Sequence, residues 1–206
     1  MAVPLHGRAA LLISECQRGV VEQDMGGLAG LIGQVEKRRI LPRIARLADR
    51  FRDAELRVCH LTVVHPPDFA DVPSNSLLSV MARKIRLLIR GSAEAEIVQE
   101  LTPAPDDFIL SRSSGLIGFH GTALDAILRR MGIVTVVFTG VSTNVAVAGC
   151  AMAGTDLGYH VVIAEDCVAA ADPATHAIIV RDQLRMIARI ASADDIEQAL
   201  KRPAPY

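Results

Sequence analysis

Gly132-Ile-Val-Thr-Val-Val-Phe-Thr-Gly-Val-Ser-Thr-Asn144 is the stretch on which the fold turns. Ile133 to Thr139 is an apolar strand, and Gly140 turns the chain. Thr143 to Leu157 is made of small residues and is helical, and Gly158 ends it. His160 to Ala164 is the next strand, followed by Glu165-Asp166. Strand, helix, strand in this order implies a parallel βαβ unit with a right-handed crossover.

The pattern repeats outward in both directions. Downstream, a helix is expected from Ala174 to about Met186. A short strand near Ile187–Ile190 and a helix over Ala193 to Leu200 follow. Upstream, Thr122 to Met131 is helical, with Thr122 as its N-cap and Gly132 closing it. Phe108-Ile109-Leu110 is a short strand. Val58 to Val64 is a strand that stops at Pro66-Pro67. Ile40, Ile44, Leu47 and Phe51 recur at helical spacing with arginines between them, which makes an amphipathic helix. Ala9 to Ile13 is a buried strand ending at Ser14-Glu15. The whole reads as an α/β, Rossmann-like, doubly wound and mostly parallel sheet of about six strands, in three α/β/α layers. Such sheets bind ligands at the carboxyl ends of their strands. That rule selects Glu15, His65, Ser111 to Ser114, Gly140 to Asn144 and Asp166.

Composition agrees with one domain over residues 1–206. The chain has 206 residues, half of them apolar and 22% charged. A domain of that size buries roughly 70% of its unfolded surface without a metal or disulfide. Lys and Arg total 22 against 23 Asp and Glu, a net charge of −1. Nucleic-acid binding usually needs a basic excess. Aromatics are 3%, with no Trp for base stacking. No uncharged apolar run reaches the ~18 residues of a membrane span. No signal peptide is visible, so a cytoplasmic location is expected. Cys16, Cys59, Cys150 and Cys167 are scattered, which excludes a zinc ribbon or thioredoxin motif.

Two stretches fit less cleanly. Gln23 to Gly33 holds four glycines but no G-x-G-x-x-G between the first strand and its helix. A mobile loop beside the site is expected there. From Leu77 to Arg90, Leu78, Met81, Ile85 and Leu88 form an apolar stripe beside Arg83, Lys84, Arg86 and Arg90. A subunit contact or a cover over the strand ends is expected, in preference to a membrane-surface helix.

Four segments carry a resemblance. Leu11-Leu-Ile-Ser-Glu15-Cys-Gln17 resembles a pattern L-L-x-I-D-M-Q. Phe119-His-Gly-Thr122-Ala-Leu124 resembles F-x-G-T-x-L, preceded by a strand and a basic residue. Gly132 to Asn144 resembles G-I-x-T-V-V-x-T-G-V-x-T-[ND]. Gly158-Tyr-His-Val-Val-Ile-Ala-Glu-Asp166 resembles G-Y-x-V-x-V-x-x-D. These are patterns of the isochorismatase-like hydrolases, the cysteine hydrolase superfamily. Nicotinamidases, N-carbamoylsarcosine amidohydrolases and isochorismatases belong to it. The resemblance implies a small-molecule substrate, assembly as a homodimer or homotetramer, and often a cis peptide here between Val141 and Ser142.

The family's amide hydrolases use an Asp, a Lys and a Cys: the Asp takes the thiol proton and the thiolate attacks the carbonyl. In this chain the Asp position carries Glu15. The Lys position falls on Ser113, with Arg112 beside it. Neighbouring residues of a strand face opposite sides, so Arg112 replaces the Lys only if the strand end twists or bulges. The Cys position carries Ala146. Cys150 lies one helical turn further on, about 6 Å along the axis, behind the helix N-terminus. Thiol-dependent amide hydrolysis is therefore not expected.

Isochorismatases proper also carry a small residue at that position. They cleave a vinyl ether by protonating the enol carbon, with no protein nucleophile. The resemblance thus implies a hydrolase of a small carboxylate-type substrate, cleaving a vinyl ether or a C–N bond, with Glu15 as acid or base. Arg112, His120 and Arg18 are the candidate positive charges. Gln17, Phe119, His120, Val141, Ser142 and Asn144 are expected to line the substrate. The alternatives are a catalytically degenerate member that binds a small molecule or protein partner, and a lyase or isomerase in the same pocket. His60, His65 and Asp68 resemble the nicotinamidase metal site, but the D-x-H spacing is missing. No motif requires a metal, nucleotide or flavin. Asp166 is expected to be structural.

Overall fold

The computed structural model describes residues 5–201. In chain order the elements are β1 (Arg8–Ser14), α1 (Arg18–Val21), α2 (Ala29–Arg38), α3 (Ile40–Asp53), β2 (Arg57–Val63) and α4 (Leu77–Ile85). Then come β3 (Phe108–Arg112), α5 (Leu124–Arg130), β4 (Ile133–Val141), α6 (Ala148–Asp156) and β5 (His160–Ala169). The chain continues through α7 (Pro173–Ile178), α8 (Arg185–Ile187), β6 (Arg189–Ala191) and α9 (Ala193–Leu200). Two π-helical segments, Thr143–Val147 and Ile179–Leu184, lead into α6 and α8.

The six strands form one parallel sheet in the order β3-β2-β1-β4-β5-β6. This is the expected doubly wound, three-layer arrangement. The strands are apolar on both faces because both are covered. Along β1, Ala9, Leu11 and Ile13 face α3, while Ala10 and Leu12 face α5 and α6. Ile40, Ile44, Leu47 and Phe51 of α3 are all fully buried in the first core, as their helical spacing requires. Each contributes roughly 1.5–3 kcal/mol.

Several boundaries move, each for a packing reason. Ala29 to Gly33, expected as mobile loop, opens α2. Leu31 and Ile32 are buried there, and Gly30 lies so close to Ala171 that a Cβ would sit 3.0 Å from its carbonyl. Burial outweighs the weak helix propensity of glycine. Thr122 lies just before α5, accepting from the Leu124 N–H at 3.1 Å and donating to the Gly118 carbonyl at 2.6 Å. β5 runs five residues past the expected Ala164, to Ala169. It bulges on the way: Phe138 faces Ile163, but Gly140 faces Val168. The bulge carries Glu165 and Asp166 out of the ladder.

The stretch from Pro66 to Arg90 returns to the end of β2, where Ile89 bridges His65. Arg83 donates to the carbonyls of Phe69 and Val72, and Arg86 to that of Pro67. These two basic side chains thus brace the segment internally. Leu77, Leu78, Met81 and Ile85 are exposed, and Leu88 is buried. Among the described residues no helix is long and apolar enough to cross a membrane.

Candidate active site

β1 ends at Ser14, and the next residue turns out of the sheet. Glu15 has φ 51°, left-handed for a residue with a Cβ, and such strain usually marks a functional position. Its N–H is held by the Leu61 carbonyl at 2.8 Å. The neighbouring strand β4 comes in close. Gly140, at φ 91°, faces Ser14, and a Cβ there would lie 2.1 Å from the Ser14 carbonyl oxygen. Only glycine lets the turn after β4 approach Glu15 this closely. That turn contains the cis peptide Val141–Ser142, where the resemblance placed it. The Ser142 carbonyl then accepts from the N–H groups of Val145 and Val147, at 3.2 and 3.1 Å.

Arg112 enters from β3, two strands away from β1. Ser14 faces Leu61, whereas Arg112 faces Val63, so Arg112 starts further along the strand direction. Its buried guanidinium crosses the end of β2 and forms an ion pair with the Glu15 carboxylate. No bulge is needed for this reach. β3 stays in register with β2, and the length of the arginine side chain covers the gap. Ser113, onto which the family lysine falls, instead gives its backbone carbonyl to His65 Nδ1 at 2.6 Å. Burial pushes the Glu15 carboxyl above the ordinary carboxylate range, against the downward pull of Arg112. The result is a paired carboxylate that holds a proton more readily than a free one.

Ala146 is buried in the π-helical segment. Cys150 follows one turn later, fully buried, and its sulfur accepts from the Gly118 N–H at 3.1 Å. Burial pushes its thiol up to about 11, and the charges of Arg112 and Glu15 both reach it. Cys150 thus keeps its proton, one turn behind Ala146. Cys59 is pushed to about 12, and burial raises Cys16 and Cys167 as well. All four thiols are free and buried, and none is a ready thiolate.

The expected lining residues divide. Ser142 is half-buried and Asn144 exposed in the turn, and His120 is exposed in the loop before α5. Val141 is fully buried at the cis bond. Gln17 departs from its expected substrate-binding role. Its Nε2 donates to the carbonyls of Val63 and Ala95, and its Oε1 accepts from the Val63 N–H, all at 2.8 Å. It is a clamp on the scaffold. Phe119 also departs, packing on Tyr159 and Phe138 in the second core. Arg18 lies outside the pair, bonded to Glu22 and Glu96. Asp166 is structural as expected, accepting from the Ala193 N–H at 2.8 Å. His60 faces Asp107 at 3.4 Å, apart from His65. Among the described residues no group of three His, Cys, Asp or Glu is placed to hold a metal.

A second polar chain escaped the sequence reading. His176 of α7 joins Thr143, at 3.0 Å through Nδ1, to Glu165, at 2.9 Å through Nε2. Arg38 of α2 closes the chain on Glu165 at 2.7 Å. The His176 bond and Arg38 hold Glu165 at about 2 despite burial. No spacing rule joins residues 38, 143, 165 and 176. They meet through the β5 bulge and the packing of α7.

Residues 9–195 match the isochorismatase domain family. The ureidoacrylate amidohydrolase RutB of Methylorubrum extorquens is 33% identical over 146 residues, which is 65% of this chain and 58% of the relative. The chain thus spans less than two thirds of the length of the curated relatives it matches. An isochorismatase family protein from Desulfovibrio vulgaris superposes with a TM-score of 0.81 at 25% identity, over 95% of this chain and all of the other. An N-carbamoylsarcosine amidase from Thermoplasma acidophilum gives 0.72 at 24% identity, over 91% and 98%, a likeness of fold. With the family match running over nearly the whole sheet and its helices, the chain belongs to the isochorismatase domain family.

Proposed function

We propose that this chain is a hydrolase of a small carboxylate-bearing substrate, driven by acid–base chemistry at Glu15 without a cysteine nucleophile. The observation that carries the reading is the Glu15–Arg112 pair at the carboxyl ends of β1 and β3, beside a turn whose nucleophile position is Ala146. The similarity to a protein named ureidoacrylate amidohydrolase favours a C–N bond in a ureido acid. Glu15 then acts as general base. It takes a proton from water, the water oxygen attacks the carbonyl carbon, and the proton passes to the departing nitrogen. Arg112 orients Glu15 and draws the substrate carboxylate. Ala146 leaves room for the substrate, and His120, Ser142 and Asn144 line it. The vinyl-ether route reverses the role: protonated Glu15 gives its proton to the enol carbon. Water adds to the oxocarbenium ion and returns a proton to Glu15, and the resulting hemiketal collapses with cleavage of its ether C–O bond to a carbonyl compound and an alcohol.

The two routes differ in pH dependence. Burial raises the Glu15 carboxyl above 4.5. A base-driven reaction gains rate as pH rises through that raised value, and an acid-driven one loses it. A second reading, a non-catalytic member that binds a small acid, is favoured by Ala146 and by the direct closure of Arg112 on Glu15. Mass-spectrometric product detection on a panel of ureido acids, small amides and vinyl ethers decides between them. Cleavage that vanishes in Glu15→Gln is expected. Binding without a product on the whole panel would favour the second reading. On the same family resemblance we propose a homodimer or homotetramer, which sedimentation velocity tests.

A further inference from the structure

A groove of about 770 Å³ lies away from Glu15, along the β6 edge of the sheet, between α2 and the segment from α7 to β6. Four arginines line it: Arg38, Arg181, Arg185 and Arg189. Only two acids do, Glu165 and Asp195, and both are engaged. Glu165 is held by Arg38 and His176. Asp195 closes the capping box of α9 with Ser192. Arg181 is tied to its neighbour Asp182. Arg185 and Arg189 have no hydrogen-bond or ion-pair partner among the described residues, and both are exposed. The groove therefore presents two free guanidinium groups and a net positive lining. Pro173, Val180 and Ile190 supply apolar wall between the charges.

We propose that this groove binds a small organic anion, its carboxylate or phosphate on Arg185 and Arg189 and its carbon skeleton against the apolar wall. A guanidinium fork matches the oxygens of either group. Concavity with a few polar groups on an apolar wall is the usual form of a small-molecule site. Two further features mark the place. Val180 and Arg181 belong to the π-helical segment Ile179–Leu184, a local geometry frequent at functional sites. His176 on the groove wall bonds Thr143, in the turn beside the candidate active site. The inference does not rest on the reading of Glu15.

Calorimetric titration at fixed ionic strength tests it, with glutarate as the carboxylate probe and glycerol 3-phosphate as the phosphate probe. Saturable binding of at least one probe is expected, and the probe that saturates identifies the head group. The exposed double variant Arg185→Gln, Arg189→Gln should weaken it at least tenfold while melting as the wild type does. Arg130→Gln, an exposed arginine elsewhere, and Glu15→Gln should both leave it unchanged. The inference is overturned if neither probe saturates or if the double variant binds as well as wild type. It is equally overturned if Arg130→Gln weakens binding as much, or if Glu15→Gln abolishes it and so places the probe at the other site.

Discussion

Glu15 and Arg112 form a pair that neither could sustain alone in its surroundings. Arg112 is buried, and Glu15 has little solvent to turn to. Removing one partner of such a pair leaves an unpaired charge and costs about 3–5 kcal/mol. Arg112→Met should show a loss of that order in urea denaturation near neutral pH. The loss should shrink in acid, because an unpaired Glu15 can take up a proton and become neutral. A loss independent of pH would mean that packing around the arginine stem, and not the charge, holds the site. At this scale the sequence reading was uneven for a physical reason. Glu15 was legible because it stands at a strand end, and Ala146 only through the family resemblance around Asn144. Arg112 was legible as a charge but not in its reach. Alternation along β3 speaks for Cβ directions, and an arginine side chain carries its charge well beyond them.

Between elements, Gln17 ties three segments together. Its amide joins the segment after β1 to Val63 at the end of β2 and to Ala95 in the turn Ala93–Ala95. Gln17→Ala would leave a buried N–H and two carbonyls without that partner. A loss of about 2–4 kcal/mol in chemical denaturation is expected, with the far-ultraviolet circular dichroism of the native state retained. A loss within experimental error would show that solvent replaces the clamp. The strands were legible from their apolar runs and glycine stops, and α3 from its stripe. The start of α2 was not, because four glycines argue locally for a loop while Leu31 and Val35 are decided by a core built from distant residues. The β5 bulge was hidden for the same reason. A run of apolar residues specifies extended backbone but not which partner each residue meets.

At the scale of the molecule, buried ionisable groups set how stability follows pH. Burial pushes His60 and His65 below the usual imidazole range, outweighing Asp107 beside His60 and the Ser113 carbonyl bonded to His65. The unfolded chain therefore binds protons first, and stability falls as pH drops below about 6.5. Glu165 is held at about 2, against an ordinary value of 4.5, by His176 and Arg38. Its contribution is full above 4.5 and is lost as pH falls towards 2. Glu15, raised by burial, opposes this trend just above 4.5. The melting temperature should decline on going from about pH 7 to about pH 5.5, and less steeply in His60→Gln. An equal decline in that variant would assign the sensitivity to other groups. The doubly wound sheet was legible at this scale because repeated βαβ order leaves few topologies. The Thr143–His176–Glu165 chain was not, since it exists only once the sheet has closed.

The central claim is that a carboxylate and no thiol drives the reaction. It is tested most directly by turnover of the ureido-acid and vinyl-ether panel in Glu15→Gln set against Cys150→Ala. Glu15→Gln should lose at least about 100-fold in rate, the scale of a general acid–base group. Cys150→Ala, which removes the thiol one helical turn beyond Ala146, should keep the wild-type rate to within a few-fold. Turnover abolished in Cys150→Ala and preserved in Glu15→Gln would contradict the claim and return the chemistry to the thiol.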